Sequence, residues 1–143
     1  MTTVNDVAAF ILAERGTMTA MKLQKLAYYS QAWSLVWNER PLFDNQFEAW
    51  ANGPVSPFLY EQHRGQFQLA PGSVAGDPSE LDEVAQKTVR SVLEFYGDRS
   101  AQWLSDLTHS ELPWIEARQG LTPGERGDAP ITQAAMAEYY GSL

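Results

Sequence analysis

Apolar residues recur along most of the chain with the spacing of an α-helix. At the start of the chain they follow the i, i+3, i+4, i+7, i+8 pattern of one apolar face: Val4, Val7, Ala8, Ile11 and Leu12. Thr3 is placed to cap this helix, and Asp6 is placed to complete a capping box. Gly16 is a natural end, because glycine readily adopts the conformation that closes a helix. The sequence therefore predicts a first helix with one face in the core.

A second helix is predicted from about residue 20 to residue 37, and its pattern is different. It follows Thr19, which can act as its N-cap. Apolar residues cover most of its circumference, which is typical of a helix that is buried among other elements. The polar exceptions on this surface are Lys22, Gln24, Lys25 and Gln31. We expect this helix to be the centre of the fold.

The segment 38–55 has no helical period. Its residues 47–50 alternate apolar and polar positions as a short strand does, and they include Glu48 and Trp50. The Asn52-Gly53-Pro54 run is a strong turn signal, since the residue before a proline is pushed out of the helical region. We predict a structured connection here, in the form of a short extended segment or a small hairpin.

The remaining helices are predicted from cap signals. These signals are Ser56-Pro57, Asp77-Pro78, Ser100, Ser110 with Pro113, and Thr132. The helix after Asp77 is the most regular and ends at Gly97. The predicted fold is mainly α: a compact bundle of about six or seven helices around a central buried helix, with one short extended or hairpin segment. We expect residues 1–143 to form a single domain.

The composition narrows the class of protein. The chain has 10 Lys and Arg against 18 Asp and Glu, a net charge of −8, and its basic residues form no stripe. We therefore expect no nucleic-acid partner. A negative surface either favours basic proteins as partners or serves solubility alone. There is no cysteine, no secretory signal and no apolar run of membrane length, so we expect a cytoplasmic protein without disulfides or membrane contact.

No catalytic constellation stands out in the sequence. The two histidines, His63 and His109, have no partner at metal-binding spacing, and neither a glycine-rich phosphate loop nor a G-x-S-x-G nucleophile elbow is present. We predict a protein without enzymatic activity, cofactor or metal. Packing at a helix corner is favoured over a ligand contact for His109, and a surface position or corner packing is favoured for His63. His109 would join two short helices through one donor and one acceptor nitrogen.

Aromatic residues provide the first candidates for partner binding. Trp37, Trp50 and Tyr60 lie at or beside the irregular segment, and Trp and Tyr are the residue types that anchor protein interfaces. Packing in the core is the alternative for these three side chains. Other aromatic residues are expected to lie mostly in the core: Tyr28, Tyr29, Trp33 and Trp103.

Lys22 and Lys25 are the second kind of candidate. They interrupt the apolar surface of the central helix, where they would receive a carboxylate or another anion. The alternative is that their stems pack while the ammonium groups reach water. The full set of candidate partner-binding residues is Lys22, Lys25, Trp37, Glu48, Trp50 and Tyr60.

Two runs in the chain resemble a known family. The run K-L-Q-K-L-A-Y at residues 22–28, followed by A-W-A-N-G-P-V at residues 49–55, is similar to the Panacea domain of SocA-like antitoxins. Later matches, including His109 and Trp114, extend this resemblance over nearly the whole chain. The resemblance implies a structural role for the motif residues: Leu23, Gln24, Leu26, Tyr28, Gly53, Pro54, Val55, His109 and Trp114.

The resemblance also implies a function. Panacea domains are typically antitoxins that are encoded beside a protein toxin, often in phages and prophages, and neutralise it by direct binding. An alternative implied by some relatives is a proteolytic adaptor that delivers the toxin or another client to a AAA+ protease. The segments outside the motifs, residues 38–46, 66–76 and 120–130, are then expected to determine which toxin is bound.

Overall fold

The computed structural model describes residues 1–143, and its regular structure consists of seven helices and five short strands. The helices are α1 (Val4–Arg15), α2 (Ala20–Trp37), α3 (Pro57–His63), α4 (Glu83–Tyr96), α5 (Ala101–His109), α6 (Leu112–Ala117) and α7 (Gln133–Gly141). The strands are β1 (Met18–Thr19), β2 (Phe47–Trp50), β3 (Gly53–Val55), β4 (Gln68–Leu69) and β5 (Pro130–Ile131). The predicted mainly α fold is confirmed. None of the helices combines the length and apolar character that a membrane crossing requires.

Helix α2 is the centre of the fold, as predicted. It packs against α1, α4, α5, α7 and β3, so it is buried around most of its circumference. Its C-terminal half runs antiparallel to α4, as two hydrogen bonds show. The Trp33 indole donates to the Tyr96 hydroxyl (3.0 Å) at the end of α4, and Asn38, further along the chain, donates to Thr88 (2.7 Å), which lies earlier in α4. The Tyr29 ring stacks on the Tyr96 ring with centroids 4.3 Å apart.

Helix α1 begins and ends where the sequence predicts, but more of it is buried. The Thr3 backbone N–H donates to the Asp6 carboxylate (2.8 Å), which satisfies a donor at the free N-terminus of the helix. The other Asp6 oxygen accepts from the Asp77 backbone N–H (2.8 Å), so a distant segment covers the face that the pattern assigned to solvent. Asn5 and Phe10 are buried with it, and the prediction of a single buried face is wrong.

The strands form two small antiparallel sheets. β2 and β3 make the predicted hairpin, with Trp50 paired to Gly53 and Glu48 paired to Val55. β5 adds a third strand on the other edge of β2, with Ile131 opposite Phe47, and β1 pairs with β4. The β1–β4 pair and β5 were not predicted, because two-residue strands have too few positions to show an alternating pattern.

Two helix starts differ from the prediction. The Asp77-Pro78 signal opens a 3₁₀ turn, and α4 begins only at Glu83, where the Asp82 carboxylate accepts from the Ala85 backbone N–H (2.8 Å). Ser110 ends α5 instead of opening α6, whose N-cap is Glu111. Asp82 thus provides the cap that was expected from Asp77, whereas Glu111 makes no side-chain cap hydrogen bond at the start of α6. Trp103, expected in the core, is 37% exposed and lies under the Arg99 guanidinium.

Glu111 is a buried carboxylate among three tyrosines. The hydroxyls of Tyr29 and Tyr140 each donate to the same Glu111 oxygen at 2.7 Å. The Tyr28 hydroxyl lies 3.2 Å from that of Tyr140, and it is the donor of this pair because the Tyr140 proton is already committed to Glu111. Burial raises the pKa of Glu111, and the two tyrosine hydroxyls oppose this shift. The cluster joins α2, α6 and α7 at the core.

Gly53 is the tightest point of the hairpin. Its φ of +122° lies in a region that side chains disfavour, and a Cβ placed there would lie 2.4 Å from Cε of Lys25. Gly53→Ala is expected to reduce the free energy of unfolding by about 2–4 kcal/mol, which urea denaturation measures. Gly65→Ala is the control, since Gly65 also has positive φ but has open space around it, so strain alone costs about 1 kcal/mol. Equal losses would contradict the close approach.

Candidate functional site

A groove of about 680 Å³ opens between the β2–β3 hairpin, α3 and residues 124–128. Its volume falls within the range of small-molecule and peptide-side-chain sites. Glu48, Trp50 and Tyr60 line it, so three of the six candidate partner-binding residues lie together. The sequence does not indicate four other lining residues, because they come from separate elements: Met21, His63, Arg126 and Asp128.

The aromatic corner of the groove consists of Trp50 and Tyr60. Their ring centroids are 5.0 Å apart and the rings meet at 66°, so they form two adjoining walls. The Trp50 indole N–H donates to Oε1 of Glu48 (2.8 Å), which orients both side chains. Glu48 and Trp50 are two residues apart on one strand, and strand geometry places such residues on the same face. The hairpin therefore presents a carboxylate next to an aromatic pair.

Gln24 forms the floor of the groove and attaches α3 to α2. Its side-chain oxygen accepts from the Ser56 backbone N–H (2.8 Å), and its amide donates to the Ser56 carbonyl (3.2 Å) and to Nε2 of His63 (3.0 Å). Nε2 of His63 is then an acceptor, as in the neutral ring, and burial lowers the His63 pKa in agreement. The His63 ring also meets Tyr60 edge to face, at 5.3 Å between centroids.

Arg118 holds the third wall, and the sequence analysis did not identify it. Its guanidinium is buried and donates to the carbonyls of Ala49 (3.0 Å), Thr122 (3.3 Å) and Glu125. It therefore joins the loop before β5 to β2. The Arg118 guanidinium lies 5.0 Å from the Trp114 ring, and the Trp114 indole donates to the Trp50 carbonyl (2.9 Å). An arginine at the end of a short helix carries no sequence signal for this role.

His109 lies at the corner between α5 and α6, as expected, but not with the expected hydrogen bonds. Its ring stacks on Trp114 with centroids 4.0 Å apart. Nε2 is buried without a hydrogen-bond partner, so the prediction that both nitrogens are used is wrong. Burial, together with the positive charges of Lys25 and Arg118, lowers the His109 pKa. The ring is a packing element beneath the hairpin.

Lys25 is fully buried, and its Nζ has no hydrogen-bond partner. The expectation that its ammonium group reaches water is wrong for this residue, because the hairpin at Gly53 closes over it. Burial lowers the Lys25 pKa to about 7. Lys22 is only half-buried; burial lowers its pKa, the Arg15 charge adds to the shift, and Asp98 opposes it. Neither lysine lines the groove, and Lys25 offers no surface contact.

Trp37 lies apart from the groove, at the end of α2. It is 51% exposed and stacks on Trp33, with ring centroids 5.2 Å apart. The six candidate residues are thus divided among four places: the groove, the buried Lys25 beneath the hairpin, and two separate surfaces at the ends of α2 that carry Lys22 and Trp37.

The residues with an expected structural role lie mainly under the groove. Leu23, Leu26 and Tyr28 are in the core face of α2. The three residues of β3, Gly53, Pro54 and Val55, are buried between β2 and the helices. Gln24 and Trp114 fix two of the groove walls as described above, and His109 lies behind them.

Comparison with protein-family models now adds a decisive observation. The model of the antitoxin SocA-like, Panacea domain matches residues 23–115, which is more than half of the chain. The chain belongs to this family. Neither the curated proteins nor the solved structures provide a significant match.

The matched region divides the groove of this Panacea domain in a specific way. It contains the hairpin, α3 and the Gln24 floor, and it ends in α6. The wall formed by residues 124–128 lies outside it. Two walls therefore belong to the part that the family model describes, and the third belongs to a loop beyond it. Membership of an antitoxin family implies that the partner is a toxin.

Proposed function

We propose that this Panacea domain is an antitoxin that neutralises a cognate protein toxin by direct binding, without a catalytic step. The observation that carries the proposal is the groove: a chain of an antitoxin family has a half-buried aromatic corner, Trp50 and Tyr60, that lines a concave site. Trp and Tyr are enriched among the few residues that dominate the binding energy of protein interfaces. The toxin would be occluded or locked by a folded domain.

The rigidity of the groove supports a binding role. Gln24 attaches α3 to the central helix, and Arg118 attaches the third wall to β2. Walls that are already ordered lose little conformational entropy when a partner binds, so more of the contact energy appears as affinity. We therefore place the toxin contact at Glu48, Trp50 and Tyr60, and we withdraw Lys25 from the contact set.

Specificity for one toxin is proposed to lie in residues 120–130. Of the three variable segments expected from the sequence, this is the one that contributes to the groove, through residues 124–128. We also propose that residues 1–143 form one domain, that the protein is cytoplasmic, and that it has no nucleic-acid partner. The toxin is proposed to be encoded by an adjacent gene.

Growth rescue tests this function. The product of the adjacent gene is expressed together with the wild-type domain, with a Trp50→Ala/Tyr60→Ala variant, or with Trp37→Ala as the matched control for loss of an exposed aromatic side chain. We expect rescue and a co-purifying complex with the wild type and with Trp37→Ala. We expect at least a tenfold weaker complex with the double variant, equivalent to about 1.4 kcal/mol or more.

Circular dichroism must show that the double variant is folded. Absence of both rescue and complex with the wild type would contradict the proposed function. Rescue accompanied by a shortened half-life of the toxin, without a stable complex, would instead indicate the adaptor mechanism.

A further inference from the structure

We propose that the corner formed by Trp50, Tyr60 and Glu48 is a binding site for a basic side chain of the partner protein, arginine above all. The inference rests on the proposed function, because it assigns a chemistry to the same groove. Its occupant is a guanidinium group that an extended or looped segment of the toxin inserts between the aromatic walls and the carboxylate.

Glu48 provides the first argument. It is a half-buried carboxylate, and one of its oxygens already accepts from the Trp50 indole. The ion pairs within the chain engage other acids, namely Glu14, Glu61, Glu80, Asp82 and Asp98. Glu48 therefore faces the groove with a negative charge that no basic residue of this chain neutralises. A basic group from a partner is the complementary charge.

The two rings provide the second argument. A cation that lies against the face of Trp or Tyr is attracted by the electrons of the ring, by about 0.5–2 kcal/mol. Trp50 and Tyr60 meet at 66°, so one group in the corner touches both walls. The guanidinium of arginine is planar and stacks on aromatic rings while donating to a carboxylate, which the ammonium of lysine cannot do equally well.

The rest of the chain shows the same chemistry. Arg99 lies over Trp103, with 4.5 Å from its guanidinium carbon to the ring centroid, and Arg118 lies 5.0 Å from Trp114. No cation of this chain lies over the Trp50 ring. Of these three tryptophans, only Trp50 donates its indole N–H to a carboxylate. Arg126, on the opposite wall, is exposed and does not pair with Glu48.

A titration with small probes tests the inference without the toxin. The wild-type domain is titrated with N-acetyl-arginine amide, and the indole N–H resonance of Trp50 is followed by NMR after assignment with Trp50→Phe. N-acetyl-citrulline amide is the neutral isosteric control. We expect saturable shifts of the Trp50 resonance with arginine, and shifts at least tenfold smaller with citrulline at the same concentration.

Charge variants then distinguish the effect of the Glu48 charge on arginine binding from the effect of the protein's overall charge. Glu48→Gln is expected to weaken arginine binding about tenfold. Glu138→Gln on α7, which removes the same charge away from the groove, should leave it within twofold. Arg126→Gln should strengthen it, because it removes a like charge from the groove. Equal responses to arginine and citrulline, or equal effects of Glu48→Gln and Glu138→Gln, would overturn the inference.

The two proposals fail in different ways. If the toxin binds the wild-type domain and arginine does not bind the corner, the assignment of the corner is wrong while the antitoxin function stands. If arginine binds the corner and the adjacent gene product neither binds nor is neutralised, the corner stands and the proposed function fails.

Discussion

Replacing Lys25 with methionine is expected to raise the free energy of unfolding by about 3 kcal/mol at pH 7. Nζ of Lys25 is buried without a partner, and its pKa is lowered from 10.5 to about 7. A shift of this size corresponds to about 5 kcal/mol of unfavourable free energy for the charged form. Methionine has a similar length and no charge, so it recovers a large part of this energy.

The effect of Lys25 on stability depends on pH. Between pH 7 and pH 10.5 the unfolded chain binds a proton at this residue and the folded chain does not, so stability of the wild type rises with pH in this window. The advantage of Lys25→Met is therefore largest below pH 7 and disappears towards pH 10.5. Urea denaturation over this range measures it. Lys22→Met, at a half-buried position, should change stability by less than about 0.5 kcal/mol.

No gain from Lys25→Met below pH 7, with the control behaving as expected, would show that the ammonium group is compensated in the folded protein. A gain would show that the buried ammonium group of Lys25 lowers the stability of the folded protein. Positions of that kind are expected where function and stability conflict.

Glu111→Ala is expected to lower the free energy of unfolding by about 3 kcal/mol. It removes the acceptor for two buried tyrosine hydroxyls, and Glu111 is the hydrogen-bond partner of the Tyr29 hydroxyl in the folded protein. An orphaned buried donor and a cavity both destabilise the core. Glu111→Gln is the matched control: its side-chain oxygen still accepts, so the loss should be about 1 kcal/mol. Thermal or urea denaturation of both variants measures the difference.

Glu111 also predicts a pH dependence of opposite sign to that of Lys25. Because burial raises its pKa above 4.5, the folded chain holds the proton to a higher pH than the unfolded chain. This tighter proton binding by Glu111 stabilises the folded chain below pH 4.5, and the stabilisation is lost as the pH rises through the folded-state pKa. Glu111→Gln should flatten this decline. An unchanged decline in the Gln variant would assign it to another group.

The elements with strong local patterns could be predicted from the sequence. The apolar circumference of residues 20–37 predicts that α2 is the centre of the fold, and the Asn52-Gly53-Pro54 turn signal predicts the β2–β3 hairpin. Both depend on residues that are close together in sequence. Trp50 and Tyr60 could be selected as candidates because the hairpin and α3 are neighbours along the chain.

The other parts of the site depend on contacts between distant residues. Arg118 reaches Ala49 across 69 positions and thereby brings the third wall to the groove. Lys25 is buried because Gly53 closes over it, and nothing in the helical pattern of α2 distinguishes it from Lys22. The shift of the α4 start from Asp77 to Asp82 has the same origin, since Asp6 of α1 binds the backbone of Asp77.

Hydrogen exchange of the domain, free and in complex with the adjacent gene product, tests the central claim most directly. The account predicts slower exchange on binding in residues 47–60 and 118–128, which form the walls of the groove, and no change at the α2 end that carries Trp37. Protection confined to the Trp37 surface, or a complex that leaves the groove residues unchanged, would contradict binding of the toxin through this site.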